Sequence, residues 1–345
     1  MVADPAWRYW LGELAANQAP TQLPRTFVPV ALDSTAYNVA HPIRELNFLR
    51  PAGLPVDETA VGETRAVALA KVTRSMLKQL TEALCRHLLG TTLPINPAAT
   101  APSEAAGFQA SSIGDSASPK VSLFLSHAKA DGTTPARRIR DYIYSQTQLA
   151  AFYDENDIPF GSAFSRVLES SLRSSQTAAL IAVRSARYAS RPWCRRELSL
   201  FRRPRRESNE GELPERWRLQ PMLVVDALEP GARTVGIPEM GNATLIRWSD
   251  DAPDLEEQIV TTVLRDALLA AFHSSLGRSL ASAPDSVILN WLPDPTTLLH
   301  IPVVRDASIE ATVVYPGRGL SGLELDTLAE YFPQVTFRSF DQAKP

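Results

Sequence analysis

The chain predicts an α/β protein: a parallel sheet wrapped by helices, with a smaller α/β accessory region formed by its N- and C-terminal segments. Three observations predict it. From Lys120 onward, short apolar runs alternate with helical stretches, the order that parallel strands impose because each parallel neighbour needs a crossover connection. At 345 residues the chain exceeds the usual size of one compact core, so two or three units are expected. Between residues 91 and 119, TTLPINPAATAPSEAAGFQASSIGDSASP is dominated by Ala, Ser, Pro, Thr and Gly without an apolar period, and reads as a linker.

In the N-terminal region, residues 1–90, Thr26 to Leu32 (TFVPVAL) and IRELNFLR read as buried strands. Glu63 to Leu89 follows as a long amphipathic helix whose stripe is Leu69, Val72, Met76, Leu77, Leu80, Leu84 and Leu88. Past the linker, residues 120–277 supply a strand at Val121 to Ser126, a helix through Ala136 to Ser145 and a strand at Ala150 to Tyr153. Then come a helix from Ala163 to Arg173, a strand at Ala178 to Val183, and a helix that begins near Pro192, where a missing N–H suits the first turn. Two more strands, PMLVVDAL and ATLIRW, precede a closing helix from Leu255 to Phe272. In residues 278–345, Ile309 to Tyr315, a turn at PGRG, a helix from Ser321 to Tyr331 and Val335 to Phe340 form a strand-helix-strand unit. It is too short to bury both faces alone, so it is expected to pack against the N-terminal region.

Composition narrows the function classes. A hydrophobic content of 44% is ordinary for a globular chain, and a formal charge of -3 gives no overall drive toward nucleic acid or anionic membrane. The start, MVADPAWRYW, lacks a basic segment leading into an apolar one, and no stretch approaches the roughly 18 apolar residues that span a bilayer. A cytoplasmic location without membrane contact is the expectation. Cys85 and Cys194 are too few for a disulfide framework, and neither they nor the five histidines reach metal-ligand spacing, so no metal is expected.

In a doubly wound sheet, ligands lie in the crevice at the carboxyl ends of the strands. The candidates are therefore Ser126, His127 and Lys129 after the first strand, the stretch Asp154 to Gly161 after the second, and Arg184, Ser185 and Tyr188 after the third. Trp193 and Glu197, at i and i+4 of the next helix, share one face and can line the same cleft.

The ordered segments VSLFLSHAKADG, FYDENDIPFGSAF and AALIAVRSARYASRPWCRREL resemble the Toll/interleukin-1 receptor (TIR) domain, and Trp193 with Glu197 reproduces the WxxxE spacing of its NAD-cleaving members. The resemblance covers Lys120 to about Gly277 and implies a flavodoxin-like outline. DIPFG, from Asp157, stands where the family has its BB loop, although the familiar basic start of that loop is replaced here by Glu155-Asn156-Asp157. It also lets residues 1–90 be read as a degenerate half of such a unit, because two strands and a helix there mirror PMLVVDAL, ATLIRW and the helix ending near His273; two ordinary strand-strand-helix units is the other reading.

What the resemblance implies is an NAD+ glycohydrolase or cyclase of bacterial type, in defence or toxicity, active as a homo-oligomer, with NAD+ as substrate and no cofactor. Breaking the nicotinamide–ribose bond develops positive charge on the sugar, which a carboxylate stabilises, and Glu197 is the catalytic candidate. Nicotinamide leaves neutral, so no second acid is required. Phe124, Ser126, His127 and Trp193 would shape the cleft, Asp157 would belong to it through the BB loop, and Lys129 or Arg184 would meet the diphosphate. Two other readings are a non-catalytic scaffold that binds other TIR domains and a nucleoside deoxyribosyltransferase-like transferase with a Glu nucleophile. Arg184 to Arg206 holds nine arginines against one acid, a patch that can attract an anionic partner, while RRPRRESNEGELPER reads mainly as a solvated loop.

Overall fold

The computed structural model describes residues 62–92, 121–147, 149–153, 177–208, 213–232, 236–241, 243–280, 286–317 and 319–343, with short pieces at 5–6, 9, 29–32, 36 and 48–54. The chain divides into two units, Met1–His87 and Leu88–Pro345. Asp157, the stretch Asp154 to Gly161, the expected helix from Ala163 to Arg173 and most of the linker lie outside the described residues.

In the first unit, Val30 and Leu49 form a parallel bridge, while residues 26–28 and 43–47 of the two expected strands lie outside the described residues. Helix α1 (Glu63–Thr92) runs two residues into the stretch read as linker. Its rotation differs from the apolar stripe: Leu69 and Leu77 are exposed, whereas Val72 and Cys85 are buried. Polar side chains set this orientation. Gln79 accepts from Arg50 N at 3.1 Å and donates to Arg50 O at 2.9 Å, and Ser75 Oγ accepts from Ala52 N at 2.8 Å, so the helix satisfies the backbone of residues 50–52.

Among the described residues the second unit holds two five-stranded sheets. The first contains β1 (Ser122–His127), β2 (Ala150–Tyr153), β3 (Thr177–Arg184), β6 (Met222–Asp226) and β7 (Thr244–Arg247), ordered β2-β1-β3-β6-β7 and parallel throughout. β1, β3 and β6 are buried almost along their length, as parallel strands covered on both faces must be. Helices α2 (Thr133–Gln146) and α4 (Leu255–Ser279) pack on one another and against β1, β3 and β6, while α3 (Pro192–Phe201) contacts β1. Phe124, Leu180, Tyr188, Leu198, Phe201 and Val224 form the core under α3. Each such buried side chain contributes roughly 1.5–3 kcal/mol.

By length and composition α4 is apolar enough to cross a membrane, contrary to the expectation that no stretch would be. In the fold its face of Ile259, Val260, Val263, Leu264 and Ala267 is buried. A helix packed against a sheet and a neighbouring helix passes the same test of apolarity.

The second sheet corrects one expectation. It runs β10-β9-β8-β5-β4, with β8 (Ser286–Leu289), β9 (Ala311–Tyr315) and β10 (Val335–Ser339) from the C-terminal segment, and α5 (Gly322–Tyr331) between the last two. Its other strands, β4 (Arg205–Arg206) and β5 (Glu215–Arg218), come from the stretch read as a solvated loop. The C-terminal strands thus draw their partners from within residues 120–277. The charged residues tolerate this because they pair: Arg206 with Glu215 at 2.9 Å, and Glu207 with Arg218 at 3.7 Å and Arg278 at 3.8 Å. Gly277 lets α4 come against β8, since a Cβ there would stand 2.8 Å from Ile288 Cγ2.

Candidate functional site

Pleating puts Phe124 and Ser126 on the same face of β1, toward α3. Ser126 therefore reaches two side chains of that layer. Its hydroxyl donates to Glu197 Oε2, and Tyr188 OH lies 2.6 Å from Ser126 Oγ. With the serine hydrogen committed to the carboxylate, the phenol is the donor in the second contact, giving a chain Tyr188 to Ser126 to Glu197. Tyr188 is fully buried, and that burial first, then the neighbouring Glu197 charge, lift its ionisation well above the ordinary tyrosine range. It stays a donor.

Glu197 is 6% exposed, and a carboxylate so placed is sustained only by donors of this kind. It belongs to a cleft of about 650 Å³ walled by His127, Lys129, Arg191, Trp193 and Cys194 among others. The volume lies in the range of small-molecule sites. Trp193 is 45% exposed, with the Arg196 guanidinium 6.0 Å from its ring centre. Lys129 and Arg191, both exposed, put positive charge at the rim above the buried acid.

The loops that frame the cleft are tied together. Asp131 accepts from Ser185 Oγ at 2.6 Å and from Arg187 N at 2.8 Å, joining the turn after β1 to the turn after β3. Gly132 closes the first turn by donating to Ala128 O at 2.8 Å. A Cβ on Gly132 would stand 3.1 Å from Ala128 O and 3.3 Å from His127 Cβ, so a larger residue there crowds the wall of the cleft. Cys194 Sγ donates to His127 O at 3.4 Å, pinning the end of β1 to α3.

Of the residues expected from the sequence, the structure brings Ser126, His127, Lys129, Trp193 and Glu197 together. Phe124 lies in the core beneath α3 rather than on the cleft wall, because it sits one pleat below Ser126. Arg184 is set across the β3/β6 register from Asp226, 3.8 Å from its carboxylate, and does not wall the cleft. Arg191 stands in the rim position instead, signalled only by the local crowd of arginines. The role of Tyr188 was not legible, although its place after β3 was. Among the described residues no group of three His, Cys, Asp or Glu side chains is placed to hold a metal ion.

Comparison with known families gives one match: the TIR domain model covers residues 123–236, from β1 to the loop after β6. The order β2-β1-β3-β6-β7 is the flavodoxin-like arrangement of that domain. No curated protein matches the chain.

Proposed function

We propose that this TIR domain cleaves NAD+ at the bond between nicotinamide and ribose. The observation that carries the reading is Glu197: a buried carboxylate, held by Ser126, on the wall of a ligand-sized cleft beside Trp193. As the bond breaks, positive charge develops on the ribose, and a fixed carboxylate stabilises it far better than one that must reorganise. The Tyr188–Ser126 chain keeps Glu197 oriented. Trp193 offers a flat face to a ring of the substrate, and Lys129 and Arg191 offer cations to the diphosphate. The departing nicotinamide is neutral and needs no proton.

We further propose that the TIR domain acts as a self-associated species, with the segment after β2 contributing to a neighbour's cleft. Chromatography of NAD+ incubated with the protein at high concentration tests the function. Nicotinamide with linear or cyclised ADP-ribose is the expected product, absent with Glu197→Ala. Equal nicotinamide from both proteins ends the proposal, and a TIR-partner complex without NAD+ turnover replaces it with the scaffold.

A further inference from the structure

β9, α5 and β10 form a strand-helix-strand unit whose two strands are parallel. Within it Gly317, Gly319 and Gly322 stand at the spacing G-x-G-x-x-G, directly after β9 and opening α5. The spacing alone is a weak signal. Its meaning comes from the strand before it, the helix after it and the parallel return, the setting in which such a loop cradles a diphosphate. Gly317 and Gly319 have φ of 101° and 112°, where side chains are strained. Nothing lies within 4 Å of where a Cβ on Gly319 or Gly322 would be, so the backbone is open to close approach. Asp341 stands just beyond β10, the place from which an acid meets ribose hydroxyls in dinucleotide folds.

A cavity of about 670 Å³ opens at this loop. Its walls include Gly317 and Leu320 after β9, Trp291 after β8 and Gln220 after β5. These three strands are parallel neighbours, so the cavity lies at their carboxyl ends, where open α/β sheets hold ligands. Gln220 is 5% exposed. Its Nε2 donates to Thr177 O, while its Oε1 is buried without a hydrogen-bond partner among the described residues. A buried amide oxygen in that state is rare, and it marks Gln220 as an unusual residue of the cavity wall. Arg202 brings a cation to the wall. The carboxylates there are each engaged: Asp294 by the N–H groups of Thr296 and Thr297, Glu324 by Ser321 N, and Asp266 by the Thr244 hydroxyl.

From this we infer that the cavity at the carboxyl ends of β5, β8 and β9 binds a nucleotide carrying a diphosphate. The diphosphate lies on the backbone at Gly317 and Gly319 with Arg202 as counter-charge, and the base lies toward Trp291. The site shares no lining residue with the Glu197 cleft and does not depend on NAD+ cleavage. Because Leu219 to Pro221 lead from β5 directly into β6, an occupant that grips Gln220 bears on both sheets.

Calorimetric titration of ADP into the full chain tests this. Gly322→Asp is the informative variant: the position is exposed and open, an acid in the first turn suits the helix dipole, and the new charge opposes a diphosphate. ADP is expected to bind one per chain, with adenosine at least about tenfold weaker. Gly322→Asp and Arg202→Gln are each expected to weaken ADP roughly tenfold or more at unchanged unfolding temperature, and Glu197→Ala to leave it unchanged. No heat with ADP, equal affinity in Gly322→Asp and the parent, adenosine as tight as ADP, or binding lost in Glu197→Ala would each overturn the inference.

Discussion

Ser126, at the carboxyl end of β1, donates its hydroxyl hydrogen to Glu197 in the second turn of α3. Seventy-one residues of chain separate the two, and the β1-β3 pairing with α3 packed on β1 brings them together. The contact fixes the direction of the one buried carboxylate that the described residues place in the cleft wall, and the remaining expectations about the site grow from it.

Ser126→Ala removes the donor and leaves the carboxylate to find another. A hydrogen bond to a charged group is worth about 1.5–3 kcal/mol, so a fall of roughly ten- to a hundredfold in nicotinamide release is expected. Ser126→Thr keeps the hydroxyl and is expected to retain most of it. Steady-state rates for the two variants, with unfolding temperatures measured alongside, check this; equal losses in both would show that packing rather than the hydroxyl matters.

Gly132→Val presses a branched side chain against Ala128 O and His127 Cβ. Overpacking of this kind costs about 1–3 kcal/mol, and here the strain falls on the turn that Asp131 ties to Ser185 and Arg187. A lower denaturant midpoint and a poorer KM for NAD+ are expected together. An unaltered midpoint would show that the turn yields freely.

Much of this site was legible in the chain, and the reasons are local. SLFLSH, TAALIAVR and MLVVD read as strands because parallel strands buried on both faces carry unbroken apolar runs. Trp193 and Glu197 announce a shared helical face by their spacing alone. What escaped the reading depends on partners distant in sequence. ERWR does not look like a strand, yet Glu215 and Arg218 find opposite charges on Arg206 and Glu207, and the strand pairs with β8 some seventy residues on. The rotation of α1 is set by Gln79 and Ser75 meeting the backbone of residues 50–52, which an apolar stripe does not encode. PGRG reads as a turn until β9 and β10 are seen to be parallel neighbours around it.

Cys85 is fully buried, and burial together with the nearby Glu82 pushes its thiol up to about 12. The thiolate is the reactive form, so at about pH 8 this side chain is expected to resist alkylation in the native chain and to react on unfolding. Peptide mass analysis after iodoacetamide treatment reads the outcome. Rapid native labelling of Cys85 would contradict the burial.

His273 hydrogen-bonds Asn290 O at 3.2 Å, and partial burial holds its pKa below the ordinary 6.5. A histidine depressed in the folded state is neutral there while the unfolded chain takes up a proton, so the stability it leaves intact above 6.5 is lost as pH falls below that value toward the folded pKa. Melting temperatures are expected to decline as pH falls below 6.5, and His273→Gln to flatten that decline. An identical slope in the variant would assign the decline to other groups.

The central claim is that the Glu197 carboxylate acts on the ribose of bound NAD+. Nicotinamide release by the parent and by Glu197→Gln, at high protein concentration and with matched unfolding temperatures, measures it most directly, because the substitution keeps the shape and removes the charge. The account predicts a fall of about a hundredfold or more, the scale on which a fixed electrostatic stabiliser acts. Release at the parent's rate from Glu197→Gln would contradict it.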